Sequence, residues 1–394
     1  MEVLIEKLDN FGRGIAYVND KICFIENALI NEKVDIKIIK EHKKYLEGEV
    51  INYIEKSPIR IEEECPYSRV CGGCNLNHMC NNEENKFKQN KIKDLAKKYA
   101  NIEKEKIKNI QYNDRNHYRN KITLHGKDGV LGLYKKDTND IIPIKECLLV
   151  SNKINEIIKV LNRNNINIEE AIIKVSNNDQ EVMVSIRGEV KEEELLKVCD
   201  VLIINNEYKT SKKQIATTIN NKKYIESINS FFQVNNTLTK ELYDEALNTK
   251  EYDTILDLYC GTGTIGIYVG EKAKKIIGID YNKSNIEDAN LNKELNHLEN
   301  IEFICDKVEN KIDSFKNIDK IIVDPPRAGL DEKTRKYLKE ILPEEIVYIS
   351  CDPLTLMRDL KDLQEKYEVE YIKPFNMFPR TYHVECVCLL CRKN

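Results

Sequence analysis

Three short runs near the end of the chain carry residue types suited to covalent catalysis. YISCDP (Tyr348–Pro353) places Cys351 directly after an apolar run, TYHVECVCLL (Thr381–Leu390) sets Glu385 in an otherwise apolar run, and IIVDPPRAGL (Ile321–Leu330) ends another run in Asp324. A charged side chain in an apolar strand is expected to face a functional cavity. A thiolate is a nucleophile and a carboxylate can remove a proton, and one reaction needs both. The C5 carbon of uracil is too weak a nucleophile to take a methyl group from a sulfonium, but a thiolate adding to C6 places electron density on C5. After transfer, a base must remove the C5 proton before the cysteine can leave. The thiol would have to ionise below its ordinary pKa of about 8.5, helped by a neighbouring cation or a helix terminus. Taken singly, Cys351 and Glu385 also fit a buried strand, and Cys386, Cys388 and Cys391 read as strand packing. The two prolines after Asp324 stiffen the chain behind it.

A second group of residues could hold a cofactor. DLYCGTGTIGI (Asp257–Ile267) is a strand, a Gly-rich turn and a helix start, but it keeps the dinucleotide G-x-G-x-x-G only loosely and has no phosphate-binding lysine. Asp280 ends the next strand, where a carboxylate can accept from ribose hydroxyls, and Asp306 follows the third, placed to reach the exocyclic amine of adenine. Together these favour S-adenosyl-L-methionine over NAD. Each carboxylate alone could instead cap a helix. A third group, ECPYSRVCGGCNLNHMC, spaces Cys65, Cys71 and Cys74 as C-x5-C-x2-C, with Cys80 beyond. A zinc site built from these four is one reading.

The elements that must position these groups fall into three patterns. The chain has 394 residues, 41% hydrophobic and 32% charged, which predicts a multidomain globular protein. Residues 1–60 alternate short apolar runs with turns, as a small β-barrel does. Residues 61–229 read as an α+β middle domain, with β-type runs AIIKVS, EVMVSIR and VLIINN and one helical pattern around Lys191–Val198. From 230 to 394, strand-like runs Thr254–Leu258, Lys275–Asp280, Ile301–Cys305, Lys320–Val323 and Ile346–Ser350 alternate with helix-length segments, predicting a doubly wound α/β sheet. Net charge is only −4, but residues 83–146 hold 16 Lys and Arg against 10 Asp and Glu. KFKQNKIKDLAKKYA and RNHYRNKITLHGK mix these cations with rings, which suits RNA or a plain solvated helix face. No apolar run is long enough to span a membrane and no signal peptide opens the chain, so a cytoplasmic location is expected, and with it reduced cysteines. A monomer is expected.

SFFQVNN (Ser230–Asn236), DLYCGTGTIGI, VDPPRAGL, YISCDP and HVE, in this order, resemble the RNA 5-methyluridine (uracil-C5) methyltransferases, and residues 1–60 resemble their OB-type TRAM domain. The resemblance covers nearly the whole chain. It implies a Rossmann-like methyltransferase domain that uses S-adenosyl-L-methionine, with Gln233, Tyr259, Thr264, Asp280, Asp306 and Asp324 around cofactor or base, Cys351 as nucleophile and Glu385 as general base. Several members carry Glu at the Asp280 position and Asn near Thr264. The iron-sulfur members bind a [4Fe-4S] cluster, here implied at Cys65, Cys71, Cys74 and Cys147 of PIKECLLV, leaving Cys80 out. The implied substrate is 23S ribosomal RNA rather than transfer RNA, because the TRAM domain and cysteine cluster resemble the ribosomal members more. A cytosine-C5 enzyme would show Pro-Cys in the DPP region, and an inactive RNA-binding assembly protein would have no use for Cys351 together with Glu385.

Overall fold

In a computed structural model of the chain, which describes residues 1–177, 180–247 and 250–393, the alternating runs after residue 250 form one seven-stranded sheet. Its spatial order is Ile301–Cys305, Ala273–Asp280, Tyr252–Leu258, Lys320–Val323, Glu345–Ser350, Glu385–Arg392, Tyr367–Phe375. The first five strands are mutually parallel, and Glu385–Arg392 alone runs antiparallel, between Glu345–Ser350 and Tyr367–Phe375. The chain leaves Tyr252–Leu258 toward one edge and later returns to its other side at Lys320–Val323, and the crevice at that reversal is where such sheets bind ligands. Lys320–Val323 is buried throughout, as expected of a strand covered on both faces.

One face is covered by helices Glu332–Ile341 and Pro353–Leu363 together with Asn81–Leu95, whose Ile92 and Leu95 belong to the same core cluster as Leu258, Val323 and Tyr348. The start of the basic stretch therefore packs on this sheet, and bridges Ile107 to Ile372 and Gln111 to Phe375 extend that attachment. The other face is covered by Asn236–Asp244 and the short helix after the Gly-rich turn.

Residues 2–55 form a six-stranded sheet curled around Ile5, Val18, Cys23, Ile25, Val34 and Ile36. Ile5 N donates to Glu32 O at 2.9 Å and Glu6 N to Ile15 O at 3.0 Å, so the first segment links the two edges, as the pattern of short runs predicted for a barrel. In the chain between barrel and C-terminal sheet comes a second seven-stranded sheet, in which AIIKVS, EVMVSIR and VLIINN all contribute strands. The helix on it is Asn152–Asn164, capped by Ser151 and burying Ile154, Ile157, Ile158 and Leu161 at helical spacing. Residues 193–198, expected to be helical, form only successive turns, because Leu195 and Cys199 alone anchor that stretch in the core. No helix among the described residues is long and apolar enough to cross a membrane.

Candidate active site

The Gly-rich turn is built for close approach. Tyr259, Gly261 and Gly263 all have positive φ (63°, 55° and 74°), and a Cβ on Gly261 would meet no atom within 4 Å, so the backbone there borders open space. A Cβ on Gly263 would collide with Phe303 at 2.4 Å. Thr264 begins the helix, its hydroxyl accepting from Tyr243 at 3.1 Å and its carbonyl from Tyr224 at 3.3 Å. Asp280 accepts from Gly261 N at 3.1 Å, Asn282 N at 2.8 Å and Asn285 Nδ2 at 3.2 Å, so it fixes the turn from the neighbouring strand. Asp306 lies next to Asp280, its backbone N–H donating to the Asp280 carbonyl at 3.1 Å. Its carboxylate accepts from Lys307 N and Asn310 Nδ2 at 2.7 and 2.9 Å, and these bonds hold its pKa below the usual carboxylate range.

Buried polar atoms without a partner gather around the turn: Asp257 Oδ1, Thr262 Oγ1 and Asn285 Oδ1. Asp257 ends its strand with Oδ2 accepting from Gly266 N at 3.0 Å while Oδ1 has nothing, and burial raises its pKa to about 8. An unpaired buried polar atom is costly, and each of these calls for an explanation. Gln233 is buried nearby in the chain segment before the first helix of this part. Asn120 Nδ2 donates to its carbonyl at 3.0 Å, and Asn235 Nδ2 donates to Met377 O at 3.0 Å.

Strand register brings Cys351 and Glu385 together. Ser350 lies opposite Cys386 in the antiparallel pair, so the next position pairs Cys351 with Glu385. Asp324 emerges from the parallel neighbour Lys320–Val323 at the same edge. The three acidic groups feel one another. Burial first, and then the Glu385 and Asp324 charges, raise the Cys351 thiol to about 11, with Arg327 of the DPPR loop pulling against them. Burial, and then Asp324, raise Glu385 well above the carboxylate range, and burial raises Asp324 to about 7. Two carboxyls desolvated in one crevice resist ionising together and hold protons readily. Cys351 also precedes helix Pro353–Leu363, whose first amides are capped by Asp352.

Glu385 is delivered by loop 376–384, which is largely buried and held by side chains from far away in sequence. Glu84 and Lys88, both fully buried, form a 2.9 Å ion pair, and Lys88 also donates to Asn376 Oδ1 at 2.6 Å and Phe378 O at 3.0 Å. Arg380 is 1% exposed. Its guanidinium donates to Glu64 at 2.6 Å, Asn77 at 3.2 Å and Asn116 at 2.9 Å, and its carbonyl accepts from Asn75 N and Leu76 N.

Glu64 and Asn75 adjoin Cys65 and Cys74, so the same arginine fixes the cysteine loop. Cys65, Cys71, Cys74 and Cys147 line one cavity of about 210 Å³, while Cys80 does not. Burial, with the neighbouring cysteines adding to it, raises Cys74 to about 12. Gly73 N donates to Cys71 Sγ at 3.4 Å, and burial raises the Cys147 thiol while the amides of Leu149 and Val150 act against it. Among the described residues no group of three His, Cys, Asp or Glu stands close enough to hold a single metal ion. A zinc ion at about 2.3 Å from each sulfur would draw four thiols to within roughly 4 Å of one another, whereas a cubane cluster spaces them more widely.

The family model for tRNA (uracil-5-)-methyltransferase matches residues 167–393, and that for the TRAM domain matches residues 1–51. The chain belongs to the tRNA (uracil-5-)-methyltransferase family. It is 32% identical to an uncharacterized RNA methyltransferase of Clostridium tetani, over 96% of this chain and 93% of that one. It is 33% identical to another of Clostridium acetobutylicum, over 99% and 96%. Among solved structures it superposes on the Pyrococcus abyssi tRNA (uracil-54, C5)-methyltransferase in complex with S-adenosyl-L-homocysteine, with TM-score 0.82 and 26% identity, covering 99% of each chain.

In this methyltransferase the structure gathers Tyr259, Thr264 and Asp280 at the Gly-rich turn, Cys351, Asp324 and Glu385 at the neighbouring crevice, and four cysteines at a separate cavity. Sequence reasoning missed Asp257, although an acid inside the apolar run TILDL is the same signal that singled out Glu385. It missed Arg327 and Arg380 as well. Arg327 directly follows Asp324-Pro-Pro, whereas nothing in the sequence indicates that Arg380 is buried.

Proposed function

We propose that the enzyme transfers a methyl group from S-adenosylmethionine to C5 of a uridine in RNA, with Cys351 as nucleophile and Glu385 as general base. The observation that carries this is the register that pairs Cys351 with Glu385 beside Asp324, at the edge of the sheet where the Gly-rich turn opens. Cys351 Sγ, as thiolate, bonds to C6 and the C5–C6 pair moves into the enolate. S-adenosylmethionine, when bound, would supply the methyl group to C5 and leave as S-adenosylhomocysteine. Glu385 then takes the C5 proton, C5–C6 is restored as a double bond and Cys351 leaves as thiolate. Arg327 favours the thiolate before addition. The residues fit the cofactor: Gly261 borders open space that it would fill, and Asp280, positioned by Gly261 N, would accept from its ribose hydroxyls. Gln233, Tyr259, Thr264 and Asp306 complete the proposed contacts, with Asp324 on the base.

We assign Cys65, Cys71, Cys74 and Cys147 to a [4Fe-4S] cluster, supported by their shared cavity and by amides directed at their sulfurs. Its role is to hold the middle part rather than to turn over electrons. The proposed target is 23S ribosomal RNA. A transfer-RNA uridine is the second reading, favoured by the full-length similarity to the archaeal tRNA enzyme. Mapping 5-methyluridine in ribosomal and transfer RNA of a strain lacking the gene tests both, and loss from neither RNA would refute the proposal.

A further inference from the structure

A series of rings leads away from the crevice and has no part in the chemistry above. His383, two residues before Glu385, lies against Tyr382 with centroids 4.3 Å apart, and Tyr382 meets Phe11 of the barrel edge-on at 5.1 Å. The Arg13 guanidinium lies 5.4 Å over Phe11 and 4.5 Å over Phe24, which meets Tyr45 at 5.6 Å. A groove of about 540 Å³ runs past Phe11, Arg13, Tyr382 and His383.

The turn that presents Phe11 is rigid. Asp9 Oδ1 accepts from the amides of Phe11 and Arg13 at 2.9 and 2.8 Å, and Asp9 Oδ2 accepts from Arg13 Nε at 2.7 Å. Gly12, at φ +81°, lies so near Leu76 of the cysteine loop that a Cβ would be 2.4 Å from its side chain. Phe11 is nevertheless 48% exposed. Phe11 does not stand alone but borders Tyr382 and the Arg13–Phe24 pair, and a contiguous exposed patch of this kind marks an interaction site. Rings interleaved with an arginine, ending beside a base-reactive crevice, are the stacking surface that unpaired nucleotides require, because every base offers a π-face.

We propose that this series is a stacking track for single-stranded RNA, in which Tyr382 and Phe11 seat bases flanking the uridine that enters the crevice. It rests on the reading that the substrate is a uridine in RNA. Extruding a target base costs less when its neighbours are already unstacked and held elsewhere.

The test is equilibrium binding of the full chain to a single-stranded RNA of about a dozen nucleotides with one uridine, and to the same RNA with an abasic site beside that uridine. Methylation is read in the same samples. Loss of one stacked base is expected to weaken binding on the order of 5- to 100-fold. Phe11→Ala and Tyr382→Ala should each lose affinity in this range, while Phe11→Tyr stays near wild type. The abasic site should weaken the wild type comparably and cost the alanine variants little more. Alanine variants that bind the intact RNA as wild type does would overturn the track. So would an abasic penalty undiminished in them, since the rings would then only clasp the barrel to the catalytic sheet. The expected binding pattern without 5-methyluridine would leave the track standing and defeat the proposed function. Methylation with no effect of the ring variants would do the reverse.

Discussion

Glu84 accepts the backbone N–H of Arg380 with both carboxylate oxygens, at 3.0 and 3.1 Å, across 296 residues of sequence. Loop 376–384 carries Glu385 into the crevice, so the placement of the proposed base depends on a helix that precedes the whole middle sheet. The lysine completing this arrangement is as buried as its partner. A buried pair of this kind contributes little net stability against an apolar replacement but makes the loss of one member expensive.

Glu84→Ala is therefore expected to destabilise the protein by about 3–5 kcal/mol, because Lys88 keeps its charge with no carboxylate and Arg380 N–H loses its acceptor. Urea unfolding measures this directly. A loss below about 1 kcal/mol would mean that the remaining acceptors, Asn376 Oδ1 and Phe378 O, suffice for Lys88.

The cysteine cavity gives a compositional test. Protein purified without oxygen should be brown and hold about four iron per chain. Cys65→Ser and Cys147→Ser should lose the iron, and Cys80→Ser, outside the cavity, should keep it. Stoichiometric zinc in place of iron would refute the cluster assignment.

The parallel strands are legible because each is a short apolar run ending at a turn or carboxylate, and all five expected runs coincide with observed strands to within two residues. Asn152–Asn164 escapes a reading of the sequence despite its regular spacing, while the acidic stretch before Val198 reads as helix and is not one. Helix Asn81–Leu95 is visible as an element, but its attachment is not. Its buried face includes Glu84, Lys88 and Gln89, which read as solvent-facing until the partners in loop 376–384 are known. Glu385 is legible because a lone acid in an apolar strand conflicts with its surroundings. Arg380 is not, since its partners at Glu64, Asn77 and Asn116 are joined to it only by the fold.

Arg327 offers a test by pH. It pulls the Cys351 thiol down against burial and two nearby acids. Removing the cation raises the thiol pKa further, so at any fixed pH below it the thiolate fraction falls, by about tenfold when the pKa rises by one. Arg327→Ala should move the rising limb of covalent adduct formation with 5-fluorouridine RNA to higher pH, and Arg327→Lys should move it less. A limb that stays in place, or moves to lower pH, would show that the guanidinium does not act on the nucleophile.

Addition and elimination are assigned to different residues, so they can be separated. Cys351→Ala should form no covalent adduct with RNA, because no other nucleophile is proposed at the crevice. Glu385→Gln keeps the shape of the site but cannot take the C5 proton, so methyl transfer should proceed and elimination stall. A methylated protein–RNA adduct should then accumulate and survive a denaturing gel. Replacing Glu385 also removes an acid that raises the Cys351 pKa, so adduct formation should not slow for lack of thiolate. In wild type, 5-fluorouridine RNA should give a similar adduct, since fluorine cannot leave as a cation. Turnover by Cys351→Ala would remove it as the nucleophile. Normal turnover by Glu385→Gln without adduct would pass the proton to another group, and Asp324, raised to about 7 at the same edge, is the next carboxyl placed to take it.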